Sequence, residues 1–314
     1  MRKRTVGRTE LRLSQIALGT WGLAAESYGP ATERDLEETV TAALETGITT
    51  FDLAPLWGDG RAERVVGRAT AARRGEVQYV TRAGVTRDDE GHVQRRFDFE
   101  HLVADCDASL QRLGTDRLDL WLLHNPLDGT WDRDDWQEAP VRLKREGKIR
   151  CWGASVSTAD QARRALAAGA DAVCLVHNLL ACDDVEDLAS DLAVAGCGVL
   201  ARSPLAYGLL SGTWDETRTF EADDHRRHRW TSDALRQRIR QAGTLRFLIR
   251  EDIPDMASAS LRFVLSNPSV TCALVGARSP AQVRAAAAAV EGPPPYLSDE
   301  DLVRVSQVLA AVGV

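Results

Sequence analysis

The stretch Gly47-Ile-Thr-Thr-Phe-Asp-Leu-Ala-Pro-Leu-Trp-Gly-Asp-Gly, residues 47–60, contains an apolar run followed by a polar loop. The run at 48–53 lacks strict alternation of apolar and polar residues, which is typical of a strand buried on both faces of a parallel sheet. Beyond the loop, residues 61–72 have the apolar spacing of an amphipathic helix. The stretch therefore predicts a strand, a loop and a helix in succession.

Similar units recur along the chain and predict its fold. One helical pattern begins after the polar cap Thr32, and others cover about 99–113, 135–146, 158–168 and 185–195. Further strands are predicted at 15–20, 77–81, 118–124, 150–154, 172–177, 199–203 and 271–275. Eight strands alternating with helices predict an α/β fold, a (β/α)8 TIM barrel, as a single domain over residues 1–314. A doubly wound sheet is the competitor, but Leu18-Gly-Thr-Trp after the first strand is not the glycine fingerprint of such sheets.

Two segments lie outside this regular pattern. Residues 211–245 are rich in Arg and Asp, and we expect a long loop there that arches over the site. Residues 298–312 predict a final helix packed outside the barrel.

The composition excludes several classes of protein. With 44% hydrophobic residues and a net charge of -7, the chain is neither disordered nor a general nucleic-acid binder. No apolar run approaches the ~20 residues that cross a membrane, and the start lacks a signal-peptide core, so we expect a cytoplasmic protein. The six cysteines form no CxxC pair, so we expect free, mostly buried thiols and no metal site. The basic run at 225–230 is expected to be a solvated loop.

Polar residues stand at the ends of the apolar strands. In a (β/α)8 barrel the carboxyl ends of the strands carry the chemistry, and unpaired polar groups are costly there unless they meet a ligand. We therefore expect a site at this end of the barrel, formed from Thr20, Trp21, Asp52, Thr81, Arg82, His124, Ser155, His177, Asn178, Arg202, Ser203, Gly276 and Arg278.

The chain resembles the aldo-keto reductases over nearly its whole length. The matching segments are LGTWGL at 18–23, GITTFDLAPLWGDGRAERVVGRA at 47–69, SLQRLGTDRLDLWLLHNP at 109–126, REGKIRCWGAS at 145–155, SPLAYGLLSG at 203–212 and VGARSPAQV at 275–283. The APLWGDG segment is most similar to the branch that contains aldose and pyridoxal dehydrogenases. The resemblance implies hydride transfer from NADPH to a carbonyl carbon, with a Tyr as proton donor, a Lys–Asp pair that lowers its pKa, and a His that orients the carbonyl.

The catalytic positions of that family are only partly kept. Asp52 and His124 match the Asp and the His, whereas Trp57 stands at the Tyr position and Arg82 at the Lys position. An indole N–H donates a hydrogen bond but has no usable acid pKa, and an arginine stays charged. Lysine occurs only at positions 3, 144 and 148, and tyrosine only at 28, 79, 207 and 296.

The cofactor positions are also partly kept, so the resemblance implies weakened NADP(H) binding. Ser155 remains at the nicotinamide amide, but Val156 and Cys174 replace its companions, and Arg202 replaces the ring that stacks on the nicotinamide. The implied nucleotide positions are Ser203, Leu205, Leu209, Ser211, Gly212, Gly276, Arg278, Ser279 and Gln282, while Ala285 and Ala286 replace a Glu-Asn pair. The substrate positions are Trp21, Tyr28 and Asn125.

Three functions stay open at this point. The favoured one is an enzyme with altered, non-redox acid–base chemistry on a small polar carbonyl compound (isomerisation, epimerisation or elimination), in which Asp52 and Arg82 form a fixed ion pair and His124 moves the proton. The alternative is an NADP(H)-dependent oxidoreductase in which His124 or Tyr28 replaces the lost acid. A third is a pseudoenzyme that binds a nucleotide or a partner, with Trp131, Trp136, Trp214 and Trp230 as a partner surface. We expect an anionic or sugar-like substrate and, as a further possibility, a homo-oligomer.

Overall fold

A computed structural model describes residues 1–24, 27–88 and 90–313. The chain starts with a hairpin of two antiparallel strands, β1 (Lys3–Thr5) and β2 (Arg12–Ser14). Val6, Leu11 and Leu13 of this hairpin are buried and join the side chains that fill the inside of the barrel. The hairpin therefore closes the amino-terminal end of the barrel and leaves the opposite end for the site.

Eight parallel strands form a closed barrel, as the sequence predicts. A second hairpin, β6 and β7, follows the third barrel strand. The strands are β3 (Ile16–Gly19), β4 (Thr50–Asp52), β5 (Gln78–Ala83), β6 (Val85–Arg87), β7 (Val93–Arg95), β8 (Leu118–His124), β9 (Ile149–Ser155), β10 (Ala172–Val176), β11 (Gly198–Arg202) and β12 (Val270–Gly276). Closure is made by β12 and β3, where Gly276 pairs with Gly19 at the carboxyl end.

The helices pack on the outside of the barrel, where most of the buried apolar side chains lie. They are α1 (Trp21–Ala24), α2 (Glu33–Glu45), α3 (Arg61–Thr70), α4 (Phe99–Leu113), α5 (Asp128–Trp131), α6 (Glu138–Arg145), α7 (Ala159–Ala167), α8 (Asp183–Asp187), α9 (Ala189–Ala195), α10 (Ser232–Gly243), α11 (Met256–Ser266), α12 (Pro280–Ala289) and α13 (Asp299–Ala311).

Several helix ends follow the expected local chemistry. Thr32 caps α2 through a reciprocal pair of hydrogen bonds with Asp35, and Ser298 caps α13 in the same way with Asp301. At the carboxyl end of α4, Gly114 has a φ of 63°, the left-handed conformation that glycine adopts at no steric cost. These caps fix where the helices begin and end between the strands.

The structure corrects three expectations about elements. The segment at 211–245 is not a continuous loop, because it contains α10 and a 3-10 turn at His225–His228. The helix predicted at 185–195 is interrupted, so that α8 and α9 stand in its place. The prediction of a partner surface formed by tryptophans is wrong for Trp136, because this side chain is only 1% exposed. The ring of Trp131 packs edge to face against that of Trp136.

The six cysteines are free thiols, and five of them are buried. Within the described ranges, no helix is both long enough and apolar enough to span a membrane.

Candidate active site

One cavity of about 660 Å³ opens at the carboxyl ends of the barrel strands. That volume is in the range of small-molecule and cofactor sites. The predicted site residues that line it are Trp21, Tyr28, Asp52, Trp57, Arg82, His124, Asn125, Ser155, Arg202, Ser203, Leu205, Ser211, Gly276, Arg278 and Gln282. The structure therefore brings most of the predicted site residues together around one cavity.

The other strand-end candidates serve the scaffold. Thr20 donates to the Asp52 carbonyl at 2.9 Å, and Thr81 donates to buried Glu63 at 2.6 Å. His177 is buried and stacks on Phe263. Asn178 donates to the Ser203 carbonyl and accepts from Leu180. Leu209 is buried away from the cavity wall, and Ser279 caps α12 by accepting from the backbone of Gln282.

Asp52 and Arg82 form an ion pair on the floor of the cavity. Arg82 Nη1 lies 2.6 Å from Asp52 Oδ1 and donates to the Leu53 carbonyl at 2.7 Å, and its Nη2 lies 3.8 Å from Cys174 Sγ. Burial acts to lower the pKa of Arg82, but Asp52 and the Cys174 thiol outweigh it and raise that pKa above its usual value. The guanidinium is therefore a fixed positive charge.

Trp57 lies against this guanidinium, with the centre of a ring 4.8 Å from Arg82 Cζ, as in a cation–π contact. The loop that carries Trp57 turns at Gly58, which has a φ of 61°. A Cβ atom at Gly58 would lie 2.2 Å from the Ala24 carbonyl oxygen, so this position requires glycine. The glycine after Trp57 thus sets the approach of the indole to Arg82.

His124 is the last residue of β8 and is held in the neutral state. Burial, followed by the charges of Arg82, Arg95 and Arg202, lowers the pKa of His124 to about 3. Its Nδ1 is buried without a hydrogen-bond partner among the described residues. A neutral imidazole has one donor and one acceptor nitrogen, which suits it to orient a polar ligand. The Arg95 contribution comes from the β6–β7 hairpin, which the sequence did not reveal.

Arg202 ends β11 and has few partners. Its Nη2 donates to the Val156 carbonyl at 3.2 Å, and its Nε is buried without a partner in the described chain. The backbone beyond it is unusual, because Ser203 and Tyr207 have φ values of 56° and 61°. Positive φ at non-glycine residues stores strain, and such residues cluster at functional sites. Asn125, with a φ of 48°, is a third such residue on the cavity wall.

A strap, defined here as residues 27–30, contributes Tyr28 to the wall of the cavity. Arg278 fastens it by donating to the carbonyls of Tyr28, Gly29 and Pro30. Trp21 meets the ring of Tyr28 edge to face at 5.4 Å. The strap thus connects the loop after β3 to the residues that follow β12.

Two residues of the basic run at 225–230 lie against the strap and were not predicted as site residues. His225 contacts the Tyr28 ring at 4.6 Å. Arg226 pairs with buried Asp224 and lies 4.7 Å from the centre of the Tyr28 ring. The expectation of a solvated loop is therefore wrong for these two residues. Aromatic and carbonyl partners on distant segments hold them, and no local pattern encodes such partners.

The remaining wall suits an elongated, partly anionic ligand. It runs from Ser211 past Gly276 to Gln282, near the amino terminus of α12, where backbone N–H groups and the helix dipole favour an anion. Ala285, Ala286 and Ala289 continue this wall as an apolar surface. Two buried nitrogen atoms that have no hydrogen-bond partner among the described residues, Nε of Arg202 and Nε of Arg278, belong to side chains that line the cavity. These features suit a ligand with an anionic group near the start of α12 and an apolar face against the alanines of that helix.

Comparison with known proteins assigns this barrel and site to a class. Residues 15–310 match the aldo/keto reductase family, and the chain belongs to that family. It is 29% identical to the aldo-keto reductase YhdN of Bacillus subtilis (strain 168), over 90% of this chain and 86% of YhdN. It is also 29% identical to the NADH-specific methylglyoxal reductase of Escherichia coli (strain K12), over 99% of both chains.

Solved structures agree with this assignment. Aldo-keto reductase AKR11C1 from Bacillus halodurans, in a holo form, superposes with a TM-score of 0.81 at 26% identity, over 98% of this chain and 96% of that chain. The glycerol dehydrogenase AKR11B4 from Gluconobacter oxydans gives 0.86 at 27% identity, over 98% and 95%. The family and the barrel predicted from the sequence are confirmed, and the relatives are oxidoreductases.

Proposed function

We propose that this protein is a nicotinamide-nucleotide-dependent oxidoreductase that reduces the carbonyl group of a small polar compound. The observation that carries the proposal is the position of Asp52, Arg82, Trp57 and His124 around the floor of one cavity whose wall continues to the amino terminus of α12. The oxidoreductase relatives point in the same direction.

The nucleotide would be held by residues along the length of the cavity. Gln282 and the start of α12 suit its phosphates, the alanines of α12 suit an apolar ring face, and the strap, fastened by Arg278, contributes Tyr28 to the cavity wall. Arg278 uses both of its Nη atoms to donate to three carbonyls of the strap, so these atoms are not directed at a further phosphate that would distinguish NADPH from NADH. For this reason NADPH and NADH are both candidates.

The chain's own residues would bind and polarise the carbonyl oxygen. The bound nucleotide supplies the hydride, and the negative charge that grows on the oxygen needs fixed donors and positive charge nearby. The Trp57 indole N–H and a ring N–H of neutral His124 can donate to that oxygen. The buried Arg82 guanidinium, held by Asp52, adds a positive charge that needs no reorganisation during the reaction.

The proton would come from Tyr28 and not from His124. Because the pKa of His124 is lowered to about 3, its charged form is scarce at neutral pH. Burial raises the pKa of Tyr28, so its phenol keeps its proton across the working range. An alkoxide is a stronger base than a phenolate and can take that proton. This role goes to Tyr28 because it lines the cavity and lies in the strap.

Non-redox chemistry, the favoured expectation from the sequence, loses support at this site. Proton abstraction beside a carbonyl needs a base with a pKa near the operating pH. His124, with a pKa of about 3, is a very weak base. The names of the relatives also give no isomerase or lyase.

The proposal is tested by titrating the purified protein with NADPH and with NADH while Trp fluorescence is recorded. Trp21 and Trp57 line the cavity and would report binding. Saturable binding of either nucleotide, followed by its oxidation when a panel of aldehydes, dicarbonyls and oxo acids is added, is the expected result. Absence of binding up to millimolar concentration contradicts the proposal.

A further inference from the structure

We propose that Arg202 makes the cavity selective for the reduced form of the nicotinamide nucleotide. Its guanidinium supplies a positive charge, not offset by a carboxylate, near a ring that is itself positive only when oxidised. The inference rests on the proposed function, because it concerns the cofactor of that reaction.

The arginines of the cavity differ in how their charges are balanced. Arg82 is paired with Asp52 at 2.6 Å, and Arg226 is paired with Asp224. Arg278 donates to carbonyls of the strap. Among the described residues, no ion pair joins Arg202 to a carboxylate; its one hydrogen bond goes to the Val156 carbonyl, and its Nε has no partner.

Arg202 lines the same cavity as Arg82 and His124, so its charge acts on the floor of that cavity. It contributes to lowering the pKa of His124, after burial, Arg82 and Arg95. It also opposes the rise that burial causes in the pKa of Cys174, the thiol beside Arg82. His124, which lines the cavity, and Cys174, which is buried beneath it beside Arg82, therefore both lie within the field of this guanidinium.

The reacting ring must lie against the same floor. A hydride passes only between atoms ~3–3.5 Å apart, and under the proposed function the carbonyl is bound in the part of the cavity that Trp57 and His124 line. Whatever the path of the rest of the nucleotide, its nicotinamide end is therefore close to His124, whose pKa the charge of Arg202 helps to lower.

Comparing the binding affinities of the oxidised and the reduced nucleotide reports on the charge around the nicotinamide ring. The oxidised and reduced nucleotides have the same phosphates, sugars and adenine, so the interactions of these shared parts cancel, and only the ring differs by one unit of charge; the effect of Arg82 on that ring is offset by Asp52, its ion-pair partner. Repulsion between two unit charges across a partly buried site corresponds to a preference of about tenfold or more for the reduced form. The oxidised product would then leave readily, which favours turnover in the direction of reduction.

The test compares dissociation constants and does not depend on turnover. NADPH, NADP⁺, NADH and NAD⁺ are titrated into the wild type, into R202Q, R202K and into R236Q, a control that removes an exposed arginine on α10. We expect the wild type, R202K and R236Q to bind the reduced form about tenfold more tightly, and R202Q to bind the two forms within about threefold of each other.

Each other outcome overturns the inference. If R202Q keeps the wild-type ratio, or if the wild type binds both forms equally, Arg202 does not select the redox form, although the proposed function stands. If R236Q loses the preference for the reduced form as R202Q does, that preference arises from the net charge of the protein and not from Arg202. If neither form binds, the proposed function fails together with the inference.

Discussion

Asp52 and Arg82 form an ion pair on the floor of the cavity, where their exposed fractions are only 4% and 3%. Asp52 ends β4 and Arg82 lies in the neighbouring strand β5, so strand pairing in the barrel fixes their separation. The enclosed pair holds a positive charge beside the proposed position of the reacting oxygen. Removal of either partner would leave the other as a buried charge without a counter-ion.

Replacement of Asp52 by Asn is predicted to destabilise the protein by about 3–5 kcal/mol, because Arg82 would become a buried charge without a counter-ion. Urea unfolding of D52N and the wild type measures this loss. D52N/R82M should recover much of it, since both charges are then absent. R34A, which breaks an exposed pair with Glu38, is the control and should leave the midpoint unchanged. A D52N protein as stable as the wild type would contradict the buried pair.

In a Y28F background, which lacks the proposed acid, the double substitution W57Y/R82K is predicted to raise the rate of carbonyl reduction by about 10²-fold, because a positioned acid contributes ~10²–10⁴-fold to such a step. Tyr at position 57 provides the acid, and Lys at position 82 keeps the pair with Asp52. Steady-state kcat against a panel of aldehydes is the measurement. W57Y alone should gain less, since Arg82 cannot relay a proton. No gain in the double variant, with nucleotide affinity intact, would show that the indole is not at the reacting carbonyl.

Stability is predicted to fall as the pH is lowered from about 6.5 toward 3. The pKa of His124 is about 3 in the folded protein and 6.5 in the unfolded chain, so the unfolded state binds a proton first. The stability that a neutral His124 contributes is thus complete above pH 6.5 and is lost progressively as the pH falls from 6.5 to about 3. The slope is about 1.4 kcal/mol per pH unit for one proton. Urea unfolding at several pH values should give H124Q a shallower slope; equal slopes would contradict the enclosed, neutral imidazole.

Replacement of Tyr28 by Phe is predicted to lower kcat by about 10²-fold while nucleotide affinity changes little, because only the hydroxyl is removed. Stopped-flow oxidation of bound NADPH by a carbonyl substrate measures the step. Y296F is the matched control: it removes a buried hydroxyl that donates to Gln15, away from the cavity. Equal rates in Y28F and the wild type would mean that the proton comes from elsewhere.

The sequence was sufficient for the barrel and for many of the polar residues that line the cavity, because both follow from local patterns. Buried parallel strands such as β8 are continuous apolar runs, and the residues at their carboxyl ends, such as His124, lie at the end of the barrel that carries the site. The hairpin that closes the amino-terminal end was missed because strands of three residues leave no periodic pattern.

Contacts across long stretches of chain could not be predicted. Arg278 fastens a strap 248–250 residues earlier in the sequence, and the contact of Arg226 with Tyr28 joins two irregular segments. The neutral state of His124 depends on the combined charges of Arg82, Arg95 and Arg202. Such properties belong to the folded surroundings, and a residue's type and place in a motif do not show them.

The most direct test of the proposed reaction follows the hydride itself. NADPH labelled with deuterium on the transferred position is incubated with the protein and a reactive carbonyl compound, and the alcohol is analysed by mass spectrometry. We predict one deuterium on the former carbonyl carbon, formed in proportion to the oxidised nucleotide and lost when Tyr28 and His124 are both replaced. Conversion of the carbonyl compound without deuterium, or bound NADPH that no carbonyl compound oxidises, would contradict the assignment of this site to carbonyl reduction.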